Sequence, residues 1–141
     1  MKTLFAVFAF ALTSLIANAA SGWSTDVEAA LKKAKAENKN VLLQFTGSDW
    51  CPPCQYMHKN VFTKSEFTST ASKDFILVEL DFPRGDKKVS KANEPYAKTY
   101  SIEAFPTVVL LNSKGKEYER FTATTYRTVD TFLAHLAEVK K

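Results

Sequence analysis

The chain has 141 residues, 45% of them hydrophobic, and 19 Lys plus Arg against 15 Asp plus Glu give a formal charge of +4. The basic residues are interspersed with acids, as in Lys32, Lys33 and Lys35 beside Glu28 and Glu37. That mixture is a solvated surface and excludes a nucleic-acid footprint, and no internal repeat or low-complexity stretch is present.

The first segment reads as an address. Lys2 is followed by an apolar stretch from Leu4 to Ala17, broken only by Thr13 and Ser14, and Ala17-Asn18-Ala19 has the small-x-small pattern of a signal peptidase site. The stretch is about 14 residues, short of the ~20 that cross a bilayer. Residues 1–19 are therefore expected to be a signal peptide, with an uncleaved anchor as the alternative, and the product is expected in a periplasm or outside the cell. Residues 20–141, about 120 residues, have the size of one compact domain with no later membrane span.

Thr25-Asp26-Val27-Glu28 fits a capping box, and Val27, Ala30, Leu31 and Ala34 recur at helical spacing, which predicts a helix over 25–38. Val41 to Thr46 is a strand followed by the turn Gly47-Ser48-Asp49. A helix starts at Cys51, where Pro52 and Pro53 are tolerated in a first turn that lacks intrahelical partners, and runs to about Asn60. Thr63-Lys64-Ser65-Glu66 is a second capping-box pattern opening a short helix through Ala71. Phe75 to Phe82 is an apolar strand expected at the centre of a sheet. Residues 83–92 read as a charged loop. Its Arg84-Gly85-Asp86 tripeptide matches an adhesion motif, but three residues recur by chance and carry no assignment. Asn93 is placed to cap a helix through Tyr100, with Pro95 near its start. Thr107 to Leu111 and Glu117 to Thr122 form a hairpin about Asn112-Ser113-Lys114-Gly115. Val129, Phe132, Leu133, Leu136 and Val139 give a last helix its apolar face. The order α-β-α-α-β-α-β-β-α predicts an α/β fold, a mixed sheet covered by helices on both faces.

The chain has two cysteines, Cys51 and Cys54, in Trp50-Cys51-Pro52-Pro53-Cys54. A disulfide across two residues closes a very small loop and removes little entropy from the unfolded chain, so a structural staple is the weaker reading. The spacing instead lets two sulfurs cycle between dithiol and disulfide with little backbone movement. Haem attachment needs His directly after the second Cys, and Gln55 stands there. Zinc could draw on Cys51, Cys54 and His58 but lacks a fourth ligand, His135 being remote, so no metal is expected. A helix N-terminus stabilises an anion, which makes Cys51 the attacking thiolate and Cys54, one turn further in, the resolving thiol.

The strand Val41-Leu42-Leu43-Gln44-Phe45, the Trp50-Cys51-Pro52-Pro53-Cys54 motif and Phe105-Pro106-Thr107 entering a strand together resemble the thioredoxin family over nearly all of the mature chain. Within it the chain is similar to small exported members and to the C-terminal periplasmic domain of the reductase DsbD. The shared phrases are a Trp23 helix with Asp26 and Ala29-Ala30-Leu31, the Gly47-Ser48-Asp49-Trp50 approach and Asp81-Phe82-Pro83. The resemblance implies a thioredoxin fold, with Pro106 as a cis-proline facing the disulfide, Phe105 offering its backbone to an extended substrate, and Trp50 covering the disulfide. Two residues depart from the family pattern. Gln44 stands where thioredoxins hold a buried Asp, so an acid–base group would come from His58, Glu79 or Asp81. Pro52 replaces Gly in the spacer that tunes the reduction potential, while Pro53 follows the reducing pattern.

The function expected is thiol–disulfide exchange on protein thiols and disulfides, with the Cys51–Cys54 disulfide as the redox centre, no other cofactor, an unidentified redox donor or acceptor, and a monomeric state. An oxidase or isomerase is one alternative. The other is a non-catalytic peptide-binding or chaperone module using the Phe105 edge and exposed aromatics such as Tyr56.

Overall fold

The computed structural model describes residues 22–141. The expected signal peptide lies outside the described residues. Five strands and five α-helices follow one another as β1 (Trp23–Ser24), α1 (Val27–Glu37), β2 (Asn40–Thr46), α2 (Pro52–Met57), α3 (Ser65–Ala71), β3 (Phe75–Asp81), α4 (Lys87–Thr99), β4 (Thr107–Leu111), β5 (Glu117–Thr122) and α5 (Val129–Val139). A π-helical turn, His58–Phe62, continues α2, and a 3-10 turn, Ala123–Thr125, follows β5.

The strands form one mixed sheet in the order β1-β3-β2-β4-β5, parallel among the first three and antiparallel for β2–β4 and β4–β5. Side chains of a strand alternate between faces, and this alternation builds two cores. Leu42, Leu77, Phe75, Val108 and Leu110 pack with Met57, Phe62, Phe67, Phe132 and Leu136 on the face covered by α2, α3 and α5. Val41, Leu43, Phe45, Val78, Leu80, Val109 and Leu111 pack with Val27, Ala30 and Ala34 of α1, with Tyr96 of α4 and with Tyr100 at its C-cap on the other. On the first face Phe132 meets the rings of Phe62, Phe67 and Phe121 at centroid distances of 5.4, 5.3 and 5.6 Å.

The middle strand is β2, buried at all seven positions, and not the 75–82 segment, which lies beside it with the two-residue β1 on its outer side. Trp23 belongs to that strand rather than to a helix, and its indole N–H donates to the Phe62 carbonyl at 3.0 Å. The first helix is capped by Asp26, whose carboxylate accepts from the Ala29 amide at 2.9 Å, and not by Thr25. Lys64 takes the N-cap position before α3 with no side-chain cap bond, while Thr63 turns back to donate to the His58 carbonyl at 2.8 Å.

The largest departure from the sequence reading is α4. It starts at Lys87 inside the expected loop, because the Asp86 carboxylate accepts from the Lys88 and Val89 amides and caps it. Asn93 lies within the helix and donates to the Asp81 carbonyl at 2.8 Å, and Pro95 is also internal. No residue of α4 is fully buried, and it meets the core through the partly buried Tyr96. Among the described residues no helix is long and apolar enough to cross a membrane.

Candidate active site

Strand β2 ends at Thr46, and the chain turns at once: the Trp50 and Cys51 amides donate to the Gly47 carbonyl at 3.4 and 3.0 Å. Cys51 takes an extended backbone conformation at the N-cap of α2, Pro52 and Pro53 fill the first turn, and the Gln55 amide closes it on the Cys51 carbonyl at 3.0 Å. Pro here costs no hydrogen bond, since first-turn amides have no intrahelical acceptor. Cys51 and Cys54 form a disulfide with Cα atoms 5.2 Å apart. Cys51 keeps 4% exposure while Cys54 has none, and the Cys54 sulfur accepts from the Gly47 amide at 3.5 Å. The pair therefore offers one sulfur to an incoming reactant and holds the other behind it.

Trp50 is fixed from several sides. Its indole N–H donates to the Phe82 carbonyl at 2.8 Å, and its ring meets Phe105 edge-on at 5.7 Å. Gly47 makes room for it, since a Cβ there would fall 2.6 Å from the indole Nε1. The Ser48 amide and hydroxyl both bond Asp81, tying the turn to the end of β3. Asp49 accepts from the Arg84 and Gly85 amides at 2.9 and 2.7 Å, and these two bonds hold its carboxyl below the ordinary range. The Arg84-Gly85 step of the discounted tripeptide is thus a loop clamped to the active-site turn.

The Phe105–Pro106 peptide bond is cis. Pro106 is buried and its carbonyl accepts from the Ala123 amide at 3.0 Å, while the Thr107 hydroxyl donates to the Ala104 carbonyl at 2.7 Å. The ring contact with Trp50 sets this segment beside the residue that precedes Cys51.

Gln44 projects from the β2 face that carries Leu42, on the side of α2. It has no exposure, and neither its Oε1 nor its Nε2 has a hydrogen-bond partner. Helix α2 runs back over β2, with Cys54 near Gly47 and Met57 packed in the Leu42 core, so Gln44 lies under the stretch between them. Glu79 stands directly opposite Gln44 in the β2–β3 register. Burial pushes the Glu79 carboxyl up, His58 opposes the shift, and Asp81 adds to it. His58 is exposed at the start of the π-helical turn. Among the described residues no group of three or more His, Cys, Asp or Glu is placed to hold a metal ion. A cleft bordering β1 is lined by Trp23, Lys39, His58 and Glu79 but by neither cysteine.

With a C-x-x-C disulfide at the start of a helix that follows the middle strand of a mixed sheet, the chain is built as a thioredoxin-fold redox domain. A family model described as thioredoxin-like domain matches residues 27–140, and the chain belongs to that family. It is 33% identical over 111 residues to the disulfide bond reductase DsbH of Chlamydia pneumoniae, covering 77% of this chain and 66% of that protein. It is 25% identical over 114 residues to the thiol:disulfide interchange protein DsbD of Vibrio cholerae, covering 81% of this chain and 18% of that one. The chain thus spans just under two thirds of one of these curated relatives and under a fifth of the other. A solved structure of a DsbH oxidoreductase superposes with a TM-score of 0.71 at 27% identity, covering 82% of this chain and 81% of that one.

In the sequence Arg84 stands out only as part of the discounted tripeptide, and Arg127 not at all. Arg84 lies over the Trp50 ring and Arg127 over the Tyr56 ring, each with its guanidinium carbon 4.7 Å from the ring centroid. No local pattern marks them, because each meets its ring only through a tertiary contact.

Proposed function

We propose that this protein is an exported thiol–disulfide oxidoreductase that reduces or exchanges protein disulfides. The observation that carries the reading is the Cys51–Cys54 disulfide, with Cys51 keeping the pair's residual exposure at a helix start and Cys54 fully buried behind it. In the reduced protein the Cys51 thiolate attacks a substrate disulfide, forming a Cys51–substrate bond and releasing one substrate thiolate. The Cys54 thiolate then attacks the Cys51 sulfur, releases the second substrate thiolate and re-forms the disulfide. Two electrons pass to the substrate, and a separate donor dithiol resets the pair. DsbH is named as a disulfide bond reductase, which favours this direction over oxidation. Phe105 supports substrate pairing, since its backbone makes no hydrogen bond among the described residues, and Trp50 and Pro106 frame the sulfurs with Thr107 entering β4. The apolar stretch over residues 4–17 supports export, and the working unit is a monomer. Turnover of insulin by the reduced protein, above that of dithiothreitol alone, is the expected result, and its absence removes the proposal. Equilibration with glutathione gives the direction, a potential near about −270 mV meaning reduction and near about −120 mV oxidation.

Gln44 cannot ionise, so Glu79 is the group that exchanges a proton with the interior beneath Cys54, with Gln44 beside it and His58 facing it. A half-buried carboxyl with a raised pKa carries a definite sign. The folded state holds the proton more tightly than the unfolded chain, so this group's contribution to stability is complete below the ordinary value of 4.5 and is lost as pH rises through the raised value. Glu79→Gln is therefore expected to raise the urea midpoint at about pH 7 and to leave it near wild type at about pH 4. In the same variant the pH profile of mixed-disulfide resolution loses one inflection. An unchanged profile removes Glu79 from proton handling.

A further inference from the structure

The chain contains three arginines, Arg84, Arg120 and Arg127. Arg120 is fully committed: it bonds both Glu117 oxygens at 2.6 and 2.8 Å and donates to the Tyr100 carbonyl at 2.8 Å. The other two are exposed, and among the described residues neither guanidinium donates a hydrogen bond or joins an ion pair. Each instead stacks on an aromatic ring of the active-site motif. Arg84 covers Trp50, the residue before Cys51, and Arg127 covers Tyr56, two residues after Cys54.

Their placement is built from both ends. Asp49 clamps the backbone of Arg84 and Gly85, and the Ser90 hydroxyl donates to the Pro83 carbonyl at 2.6 Å, so the 83–85 loop is held against the turn. Arg127 follows the 3-10 turn that begins at Ala123, whose amide is bonded to the Pro106 carbonyl, and it precedes the Thr128 cap of α5. The acids next to Arg84 are occupied with backbone amides: Asp49 with Arg84 and Gly85, Asp86 with Lys88 and Val89. Lys87 and Lys88 add exposed positive charge on the Arg84 side, and Asp130 is the acid nearest in sequence to Arg127.

A guanidinium stacked on a ring is stripped of water on one face while its edge donors stay free, which suits bidentate capture of a carboxylate. The two rings so covered, Trp50 and Tyr56, stand before and after the one redox pair along the chain. We infer that Arg84 and Arg127 select polypeptides that carry acidic residues on both sides of the reacting cysteine, each guanidinium receiving one carboxylate. This rests on the proposed exchange activity and adds the substrate class to it.

The test uses the reduced full chain and three synthetic peptide disulfides of equal length, with Asp, Ser or Lys on both sides of the cysteine. Single-turnover exchange is followed by intrinsic tryptophan fluorescence. Expected is an Asp-over-Ser preference of about 3- to 10-fold at about 20 mM salt, shrinking at about 500 mM as screening grows, and a Lys peptide slower than the Ser peptide. Arg84→Gln with Arg127→Gln brings the Asp-to-Ser ratio to about one, whereas Lys35→Gln on α1 leaves the ratio as in wild type. Equal wild-type rates with all three peptides, or a preference that survives the double substitution, overturns the inference and leaves the exchange activity standing. No exchange with any peptide removes both.

Discussion

Cys51→Ser is expected to lower disulfide reduction by at least about two orders of magnitude, to the level of the added thiol alone, because a hydroxyl is a far weaker nucleophile toward sulfur than a thiolate. Cys54→Ser should behave differently. The first attack still occurs at Cys51, but no internal thiol follows to release the substrate, so a covalent Cys51–substrate species accumulates. On a non-reducing gel it appears as a shifted band that dithiothreitol collapses. The asymmetry follows from the geometry: Cys51 has its remaining exposure at the N-cap of α2, while Cys54 has none and is held at the Gly47 amide. Trapping by Cys51→Ser instead of Cys54→Ser would reverse the two roles. Trapping by neither would return the domain to the peptide-binding reading.

The second large effect concerns Phe132. Its ring is fully buried on the α2–α3–α5 face and touches aromatic rings from the π-helical turn, α3 and β5. Phe132→Ala removes these contacts together and leaves a cavity that neighbouring large rings cannot fill without leaving their own sites. The expected cost is about 3–5 kcal/mol, out of a total domain stability of roughly 5–15 kcal/mol. For a domain of this size the melting temperature should drop by roughly 10–20 °C, measured by circular dichroism with the disulfide kept oxidised. A drop of less than about 3 °C would mean that the cluster is dispensable. α5 should remain a helix in any folded variant, because its Thr128–Thr131 capping box does not involve Phe132.

How much of this was legible in the sequence differs from element to element. β4 and β5 have the bounds expected of a strand, the Asn112–Gly115 turn and a returning strand, and α5 starts at Val129 where its periodic face begins. α4 was half-missed because helix formation there depends on Asp86 reaching the Lys88 and Val89 amides, and Asp86 stands in a stretch whose composition reads as loop. β1 was missed because two residues carry no period; Trp23 and Ser24 become a strand only by pairing with Leu77 and Val78. Asp26 displaced Thr25 as the helix cap by a single position, a choice between two competent capping side chains that sequence spacing does not decide.

The site divides in the same way. The Cys51–Cys54 spacing, the tolerance of Pro52 and Pro53 at a helix start and the Trp50 approach are contiguous, so short-range chemistry makes them readable along the chain. The row formed by Gln44, Glu79 and His58, the Asp49 clamp on the Arg84 loop and the two stacked arginines join positions up to 71 residues apart, as between Tyr56 and Arg127. Local sequence thus determined the identity of the reacting sulfurs and most secondary elements, since helix and strand periods and turn chemistry act over a few residues. Only the tertiary structure decided which groups surround those sulfurs, because strand register and loop closure arise when distant apolar faces are buried together, and no short window of sequence contains both partners.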